Sequence, residues 1–347
     1  MERRSLLGGG VFLTATAALA PSNAVWAASH RGIRLSAADI AAARQLFAAG
    51  AYDRLEQMLP LLLARAQRGM EAGSVGAALA ARVWMLASQL AVKQGRTGDA
   101  GAHAERAGTA AYRTGDPVVL AAAARAAATP LRRTGRTQQA MYLLEQAHSH
   151  LTAESRPSAA ALDAAGTVAL TAAYTAAQDH QPHAARDLAA RAEQTARRLT
   201  HAHAEAGRRP ELSAPQCALY RIGIHRELGD TDTALAYAAA LDPAALPNPE
   251  RRARAATDTA RALLDTGDAA GALTQLRLVE LAAPLEARRP SVRAPDRPDR
   301  RRPARTTGPG RLRPPNRRTK ATPLTVRVPL PGRGSFGLSR PWSLCGR

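Results

Sequence analysis

A helix-breaking residue followed five positions later by a small or apolar residue recurs along this chain and opens a new Ala/Leu-rich segment each time. The pairs are Gly95/Ala100, Gly135/Ala140, Asp179/Ala184, Gly229/Ala234 and Gly267/Ala272, and Gly50/Leu55 is a sixth, weaker copy. Successive turns lie 45, 40, 44, 50 and 38 residues apart. Intervals of this length are typical of stacked helical hairpins, which bury their apolar faces only against their neighbours. The recurrence therefore predicts an all-α fold.

The chemistry of the turns supports this prediction. Glycine can adopt the left-handed conformation that ends one helix, and the Asp that follows Gly229 and Gly267 can cap the next. The alanine five residues later lets the two helices of a hairpin approach closely. Because aromatic residues make up only 3% of the chain, small side chains must form most of the core. The aromatic side chains expected to anchor the packing are Trp84, Tyr142, Tyr220 and Tyr237.

Composition divides the chain into three segments. Residues 1–35 form a twin-arginine-like signal or a hydrophobic linker, residues 36–287 the helical repeat region, and residues 288–347 an Arg/Pro-rich tail. The tail holds 17 Lys/Arg and 2 Asp/Glu, so it carries +15 of the net charge of +20. Such a composition cannot bury a core, which predicts disorder. Three origins stay open for the tail: a basic arm that binds nucleic acid, an inert linker, or a frame-shifted sequence.

The first thirty residues have the layout of an export signal. Arg3 and Arg4 precede an apolar stretch from Leu6 to Ala20, and a small-residue site, Val25-Trp26-Ala27, follows. The paired arginines resemble a twin-arginine signal, although Leu6 stands where such signals favour Phe and no Lys follows. The apolar stretch is too short for a comfortable membrane span. Export and a short internal linker both remain open.

The turn residues resemble the tetratricopeptide (TPR) repeat. In the last unit Gly267-Asp268 is followed by Ala272, Leu276, Val279 and Pro284, the order found in the second half of that repeat. Trp84 lies eleven residues before Gly95, where the family places its tryptophan. The intervals here exceed the family's period of about 34 residues, and the other units lack the tryptophan. The resemblance covers roughly residues 36 to 287 and implies a right-handed solenoid of helical hairpins.

A second resemblance concerns residues 218–230, Ala-Leu-Tyr-Arg-Ile-Gly-Ile-His-Arg-Glu-Leu-Gly-Asp. They are similar to the C-terminal part of actinobacterial XRE-type helix-turn-helix regulators, many of which also carry a segment like Arg3 to Ala20 before their TPR-like region. The resemblance implies a cytoplasmic, regulator-type binding module that lacks the DNA-binding domain. The rival hypothesis is a helical-repeat protein exported by the twin-arginine route.

In TPR-like arrays the first helix of each hairpin lines the concave face, and the offset from each turn identifies the corresponding positions here. They are Arg82, Gln89, Arg125, Arg132, Arg226, Arg254 and Arg261. Guanidinium groups form charge-assisted, bidentate bonds with carboxylates, so we expect a protein or peptide partner that is acidic or bears a carboxylate. The competing interpretation is that these arginines are the solvated side of amphipathic helices.

Catalytic and metal-binding patterns are weak in this sequence. It contains no Gly-Lys-Ser/Thr phosphate loop, dinucleotide-binding fingerprint or zinc-type cysteine pair. Cys217 shares an apolar stripe with Tyr220 and Ile224, which predicts a core position, and Cys345 lies in the tail. The sequence therefore predicts a non-enzymatic protein without cofactor or catalytic residues. The tail is the only segment expected to bind nucleic acid. A homo-oligomer, in which the partner is a second copy of the chain, remains an open alternative.

Overall fold

The structure is a computed structural model that describes residues 34–153, 156–204 and 210–293, and these residues are all-α, without strands. Residues 1–33, which contain the predicted signal or linker, and residues 294–347, which contain most of the predicted tail, lie outside the described residues. A 3-10 turn, Pro243–Ala245, lies between the tenth and eleventh α-helices. The α-helices are α1 Ala37–Ala48, α2 Tyr52–Gly69, α3 Gly73–Lys93, α4 Thr97–Tyr112, α5 Pro117–Arg133, α6 Thr137–Leu151, α7 Ala159–Gln178, α8 Pro182–Ala204, α9 Ala214–Glu227, α10 Thr231–Ala240, α11 Pro249–Asp265, α12 Ala269–Ala282, α13 Pro284–Ala287 and α14 Pro290–Arg293.

The turn inside each hairpin has one hydrogen-bond pattern. At Gly95, with φ 77°, its N–H donates to the carbonyl of Val92 at 3.2 Å, and the N–H of Arg96 donates to the carbonyl of Ala91 at 2.9 Å. This pair of bonds is the Schellman motif, which satisfies the last carbonyls of a helix through one left-handed residue. The same pair occurs at the other five turns, whose left-handed residues are Gly50, Gly135, His180, Gly229 and Gly267.

The fourth turn corrects the predicted pair Asp179/Ala184 by one residue. Asp179 caps α7 without a left-handed backbone, and His180 takes the left-handed position with φ 56°. The alanine five residues after His180 is Ala185, which is fully buried, whereas Ala184 is only partly buried. Histidine is one of the few non-glycine residues that tolerate this region. A turn pattern based on glycine and aspartate therefore predicts this turn one residue too early.

The residue five positions after each left-handed residue is buried throughout. Ala100, Ala140 and Ala234 are fully buried, Ala272 is 1% exposed, and Leu55 is fully buried in the first hairpin. The hydroxyl of Ser88 on α3 donates to the carbonyl of Ala100 at 2.8 Å, so a side chain and a main chain meet across this hairpin. Small residues permit this approach because a larger side chain would separate the helices.

The first helices of the hairpins, α1, α3, α5, α7, α9 and α11, pack side by side in chain order, and α11 also contacts α1. Each second helix, α2, α4, α6, α8, α10 and α12, packs against the first helix of its own hairpin. The circle of first helices is therefore closed. The sequence predicted an open concave face, and the contact between α11 and α1 turns that face into the wall of a cavity.

Two short helices follow the last hairpin and pack against the first two turns. A Cβ on Gly50 would lie 2.9 Å from the Cβ of Ala283, and one on Gly95 would lie 3.2 Å from the Cγ of Pro290. Val292 on α14 is buried. The helical unit therefore continues to Arg293, beyond residue 287, where the sequence analysis ended the repeat region.

Four aromatic anchors were predicted, and the structure separates them. Trp84 and Tyr220 are buried, whereas Tyr142 is 59% exposed, so its predicted role as an anchor is wrong. Tyr142 lies on α6, a second helix, whose far face meets solvent. Tyr237 is half-buried and stacks on His225 with ring centroids 5.5 Å apart. Cys217 is buried in the core, as predicted, and burial raises the pKa of its thiol to about 12.

Among the described residues α3 has the length and apolar composition of a membrane-spanning helix. In its most apolar window, however, 61% of the residues are buried inside the helical unit. Helix α3 belongs to the second hairpin, and other hairpins pack on both sides of it. Its apolar composition therefore matches its place in the core.

Candidate functional site: a basic central cavity

The circle of first helices encloses a cavity of about 1720 Å³. Each first helix contributes side chains to its wall, among them Arg44 of α1, Gln89 of α3, Thr129 of α5, Tyr174 of α7, Tyr220 of α9 and Thr257 of α11. The loop before α9 adds Glu211, and the loop before α11 adds Asn248. The seven side chains predicted for the concave face all border this cavity, and their role in binding stays a prediction.

The wall of the cavity is strongly basic. Among the described residues that line it are eleven Lys/Arg and four Asp/Glu, an excess of seven positive charges. Arg82 and Gln89 on α3 are exposed to the cavity, as is Arg44 on α1. Positive side chains facing one enclosed space raise the local concentration of anions.

Several of the predicted arginines pair with carboxylates on the wall. Arg226 binds Asp265 with 2.8 Å between Nε and Oδ2. Arg254 and Arg261 share Asp258, at 3.6 and 3.4 Å. Asp258 and Asp265 both lie on α11, and Asp258 lines the cavity together with Glu211, Glu227 and Glu250. These ion pairs fix the arginines but do not neutralise the wall.

Arg125 pairs with an acidic residue that the sequence analysis did not identify. Its Nη2 lies 2.9 Å from Oε1 of Glu211, and this guanidinium, outweighing burial, holds the pKa of Glu211 at about 2. The main-chain N–H groups of Glu211 and Leu212 donate to the carboxylate of Asp163 at 3.1 and 2.7 Å. Leu212 is fully buried against Gly166, where a Cβ would lie 2.1 Å from its Cδ2. Residues 210–213 are thereby anchored on α7, which places Glu211 in the cavity.

Arg132 is held by neutral groups. Its Nη1 donates to Oγ1 of Thr175 at 2.9 Å, and its Nη2 donates to Oγ1 of Thr129 at 3.1 Å. The guanidinium carbon lies 5.3 Å from the ring centroid of Tyr174, a cation–π contact. Among the described residues no carboxylate forms an ion pair with Arg132. Burial lowers its pKa from the ordinary value, because the charged form loses solvation without gaining a counter-ion.

Tyr220 lies where arginines of α5 and α11 converge. The guanidinium carbon of Arg254 is 4.5 Å from the centroid of its ring. Burial would raise the pKa of Tyr220, but Arg254, Arg125 and Arg251 outweigh burial and lower this pKa to about 7. The field at the phenol oxygen is therefore strong enough to favour a negative charge there.

A buried charge cluster joins the first and last parts of the helical unit at the edge of the cavity. We call it the seam; it comprises Tyr52, Lys93, Glu250, Glu286 and Arg289. Lys93 forms salt bridges with Glu250 and with Glu286, the latter at 2.5 Å, and Tyr52 donates a hydrogen bond to Glu286. Arg289 binds the second oxygen of Glu286 at 2.6 Å. The seam connects α2 and α3 to α11, α13 and the residue before α14, so it holds the circle closed.

The cavity has the features of a binding site. Groups of three or more His, Cys, Asp or Glu placed to hold a metal ion are absent from the described residues. The side chains that line the cavity include guanidinium and hydroxyl donors, which recognise anions, and aromatic rings, which contact the guanidinium groups. Six of the arginines that line the cavity were predicted from the sequence. The lining residues that were not predicted include Arg44, Arg133, Arg251, Arg289, Tyr174, Thr171 and Glu211.

Comparisons with known proteins add little to this geometry. No protein-family model and no curated protein matches the sequence. The solved structure of BtubC (BKLC) from P. vanneervenii is similar to this chain at 18% sequence identity, with 73% of this chain and 96% of that chain covered and a TM-score of 0.44. A likeness at this level assigns neither a family nor a function.

Proposed function

We propose that this protein is a non-enzymatic, TPR-like solenoid module of transcriptional-regulator type that binds an acidic or carboxylate-bearing peptide segment of a partner protein. The observation that carries the proposal is the excess of seven positive charges around one cavity. Arginines on the first helices of successive hairpins give such a segment charge-assisted contacts along its length.

The size and enclosure of the cavity favour a chain segment over a folded domain. Its volume of about 1720 Å³ exceeds the roughly 300–1000 Å³ of most small-molecule pockets. Because the first helices surround it, a partner enters as an extended or narrow element.

Binding of a fluorescent polyglutamate peptide, followed by anisotropy, tests this function. We expect Arg132→Ala combined with Arg226→Ala to weaken binding at least about tenfold, because each charge-assisted bond contributes more than a neutral one. The matched control is Arg54→Ala combined with Arg277→Ala, which removes two exposed arginines from α2 and α12. Equal affinity of the cavity variant and the wild type would refute the proposed function.

A cytoplasmic location belongs to the regulator hypothesis, and export by the twin-arginine route belongs to its rival. Intact mass and N-terminal sequence of the protein recovered from cytosol and from culture fluid separate them. A chain that retains Arg3 and Arg4 inside the cell supports the regulator. A chain that begins near Ala28 outside the cell supports export and contradicts the cytoplasmic proposal.

A further inference from the structure

Two arginines that act on Tyr220, Arg125 and Arg132, are oriented by hydroxyl groups of α7. On α7 the hydroxyl of Thr171 donates to the carbonyl of Thr167 at 3.0 Å, and that of Thr175 donates to the carbonyl of Thr171 at 2.7 Å. Their oxygen lone pairs accept from Nε of Arg125 at 3.4 Å and Nη1 of Arg132 at 2.9 Å. A carboxylate at either position would neutralise the guanidinium, whereas a hydroxyl only orients it.

Arg132 retains donors for a ligand. A guanidinium has five N–H groups, and Thr175 and Thr129 accept from two of them. Keeping a guanidinium charged in a partly buried place costs free energy unless a counter-ion is supplied. A bound anion would supply that counter-ion.

The charge balance around Tyr220 indicates the valence of that anion. Arg125, Arg132, Arg251 and Arg254 all interact with its phenol group. Three carboxylates face these four arginines. Glu211 pairs with Arg125. Glu250 is shared by Arg251 and Lys93, and Asp258 is shared by Arg254 and Arg261. Roughly two positive charges are left without compensation, which a phosphate monoester, with a charge of about −1.5 to −2 at neutral pH, would match better than a single carboxylate.

We infer that the part of the cavity formed by Arg132, Arg254 and Tyr220, the anion subsite, binds a phosphate monoester carried by the partner segment. This inference rests on the proposed function, because it assigns a chemical group to the ligand of the same cavity. Arg132 and Arg254 donate to the phosphoryl oxygens, and the protonated hydroxyl of Tyr220 donates to a third oxygen. Arg125 stays paired with Glu211 and forms the adjoining wall.

Tyr220 makes occupancy of the subsite measurable. The arginines around this phenol lower its pKa to about 7, so near neutral pH a large fraction of it is ionised. A dianion beside the phenol reverses that effect, and Tyr220 takes up a proton from solvent when the ligand binds. Binding should therefore remove tyrosinate absorbance in the near ultraviolet, and Tyr220→Phe should lack this signal.

The experiment is a titration of the full chain at constant ionic strength, slightly above neutral pH, with tyrosinate absorbance as the readout. The probes are inorganic phosphate, glycerol phosphate, a phosphoserine peptide and the same peptide with serine. We expect the phosphorylated probes, and not the serine peptide, to lower the absorbance. A phosphoserine peptide that binds more tightly than glycerol phosphate identifies a peptide-borne group, and equal affinities identify a small phosphate monoester as the ligand.

Arg132→Gln removes the charge but keeps an amide donor for Thr175, so it preserves the local packing. We expect it to weaken phosphate binding about tenfold or more. Arg54→Ala, which removes an exposed arginine of α2 outside the cavity, should change phosphate affinity less than about twofold. Circular dichroism confirms that both variants are folded.

A tyrosinate signal that wild type shows, that Tyr220→Phe lacks and that no phosphorylated probe lowers would overturn the inference, as would equal phosphate affinity in Arg132→Gln and wild type. Polyglutamate binding in the same samples separates the two proposals. If polyglutamate binds and phosphate does not, the subsite is refuted while the proposed function stands. If phosphate binds and polyglutamate does not, the subsite stands and binding of acidic segments is refuted.

Discussion

Tyr220 couples the charge of the cavity to the stability of the folded chain. Three arginines lower the pKa of its phenol from the ordinary 10 to about 7 in the folded state, despite burial. Between these two values the unfolded chain binds more protons than the folded chain, so the free energy of unfolding rises with pH. The contribution of Tyr220 is complete above the unfolded pKa and disappears as the pH falls through about 7.

This linkage predicts a difference between wild type and Tyr220→Phe. From about pH 7 to pH 9 the free energy of unfolding of wild type should rise relative to the variant, by at most about 1.4 kcal/mol per pH unit. Cys217, whose pKa is also raised by burial, is present in both proteins, so its contribution cancels in this comparison. Urea unfolding at a series of pH values measures it, and parallel pH profiles of the two proteins would show that Tyr220 does not ionise in the fold.

Six of the arginines that line the cavity could be predicted residue by residue, but their partners could not. The predicted residues lie 3, 6, 10 or 13 positions before a turn, which places them on one face of their first helices, and all seven side chains border the cavity. The offset rule selected no residue of α7, because α7 contributes Thr171, Thr175 and Tyr174 in place of arginine. Threonine at these positions is indistinguishable in sequence from core packing.

Among the elements, the loop of residues 210–213 depends most on a single close contact. Leu212 fills the space above Gly166 on α7, and Asp163 accepts the main-chain N–H groups of Glu211 and Leu212. No periodic pattern marks this loop, since it interrupts the regular alternation of helices and turns. Its place in the cavity could not be predicted, because it depends on a contact between residues distant in sequence.

We therefore expect Gly166→Ala to destabilise the protein by about 1–3 kcal/mol, the usual cost of overpacking a core. An added Cβ would lie 2.1 Å from Cδ2 and 3.2 Å from Cγ of Leu212, which is fully buried, so this side chain would have to shift within the core. Gly108→Ala is the matched control: it lies inside α4 with open space at the Cβ, so it should stabilise the protein by about 0.5–1 kcal/mol. Chemical denaturation measures both, and equal effects of the two substitutions would contradict the assigned role of Leu212.

At the scale of the whole helical unit, the seam determines whether the circle stays closed. Lys93 is buried between Glu250 and Glu286, and burial lowers its pKa while the two carboxylates oppose that change. The repeat pattern predicted the hairpins but not the closure. The small rotation between successive hairpins determines where the last hairpin lies relative to the first. The spacing of the turns in the sequence does not encode that rotation.

Lys93→Ala should destabilise the protein by about 3 kcal/mol, since removing one partner leaves two buried carboxylates with less compensation. Arg96→Ala removes an exposed ion pair with Glu56 from the adjacent turn and should cost less than about 1 kcal/mol. Urea unfolding of the two variants measures the difference. Equal losses would indicate that the seam is not a closing contact.

The contact between α11 and α1 also changes which parts of the array open first. In a linear array the terminal hairpins contact a neighbour on one side only, and they fray before the middle does. Here Tyr52 and Glu286, 234 residues apart, meet in one buried hydrogen bond, so each end protects the other. Main-chain amides of α1 and α11 should then exchange with deuterium as slowly as those of α5 and α7, because no hairpin can detach without opening the circle.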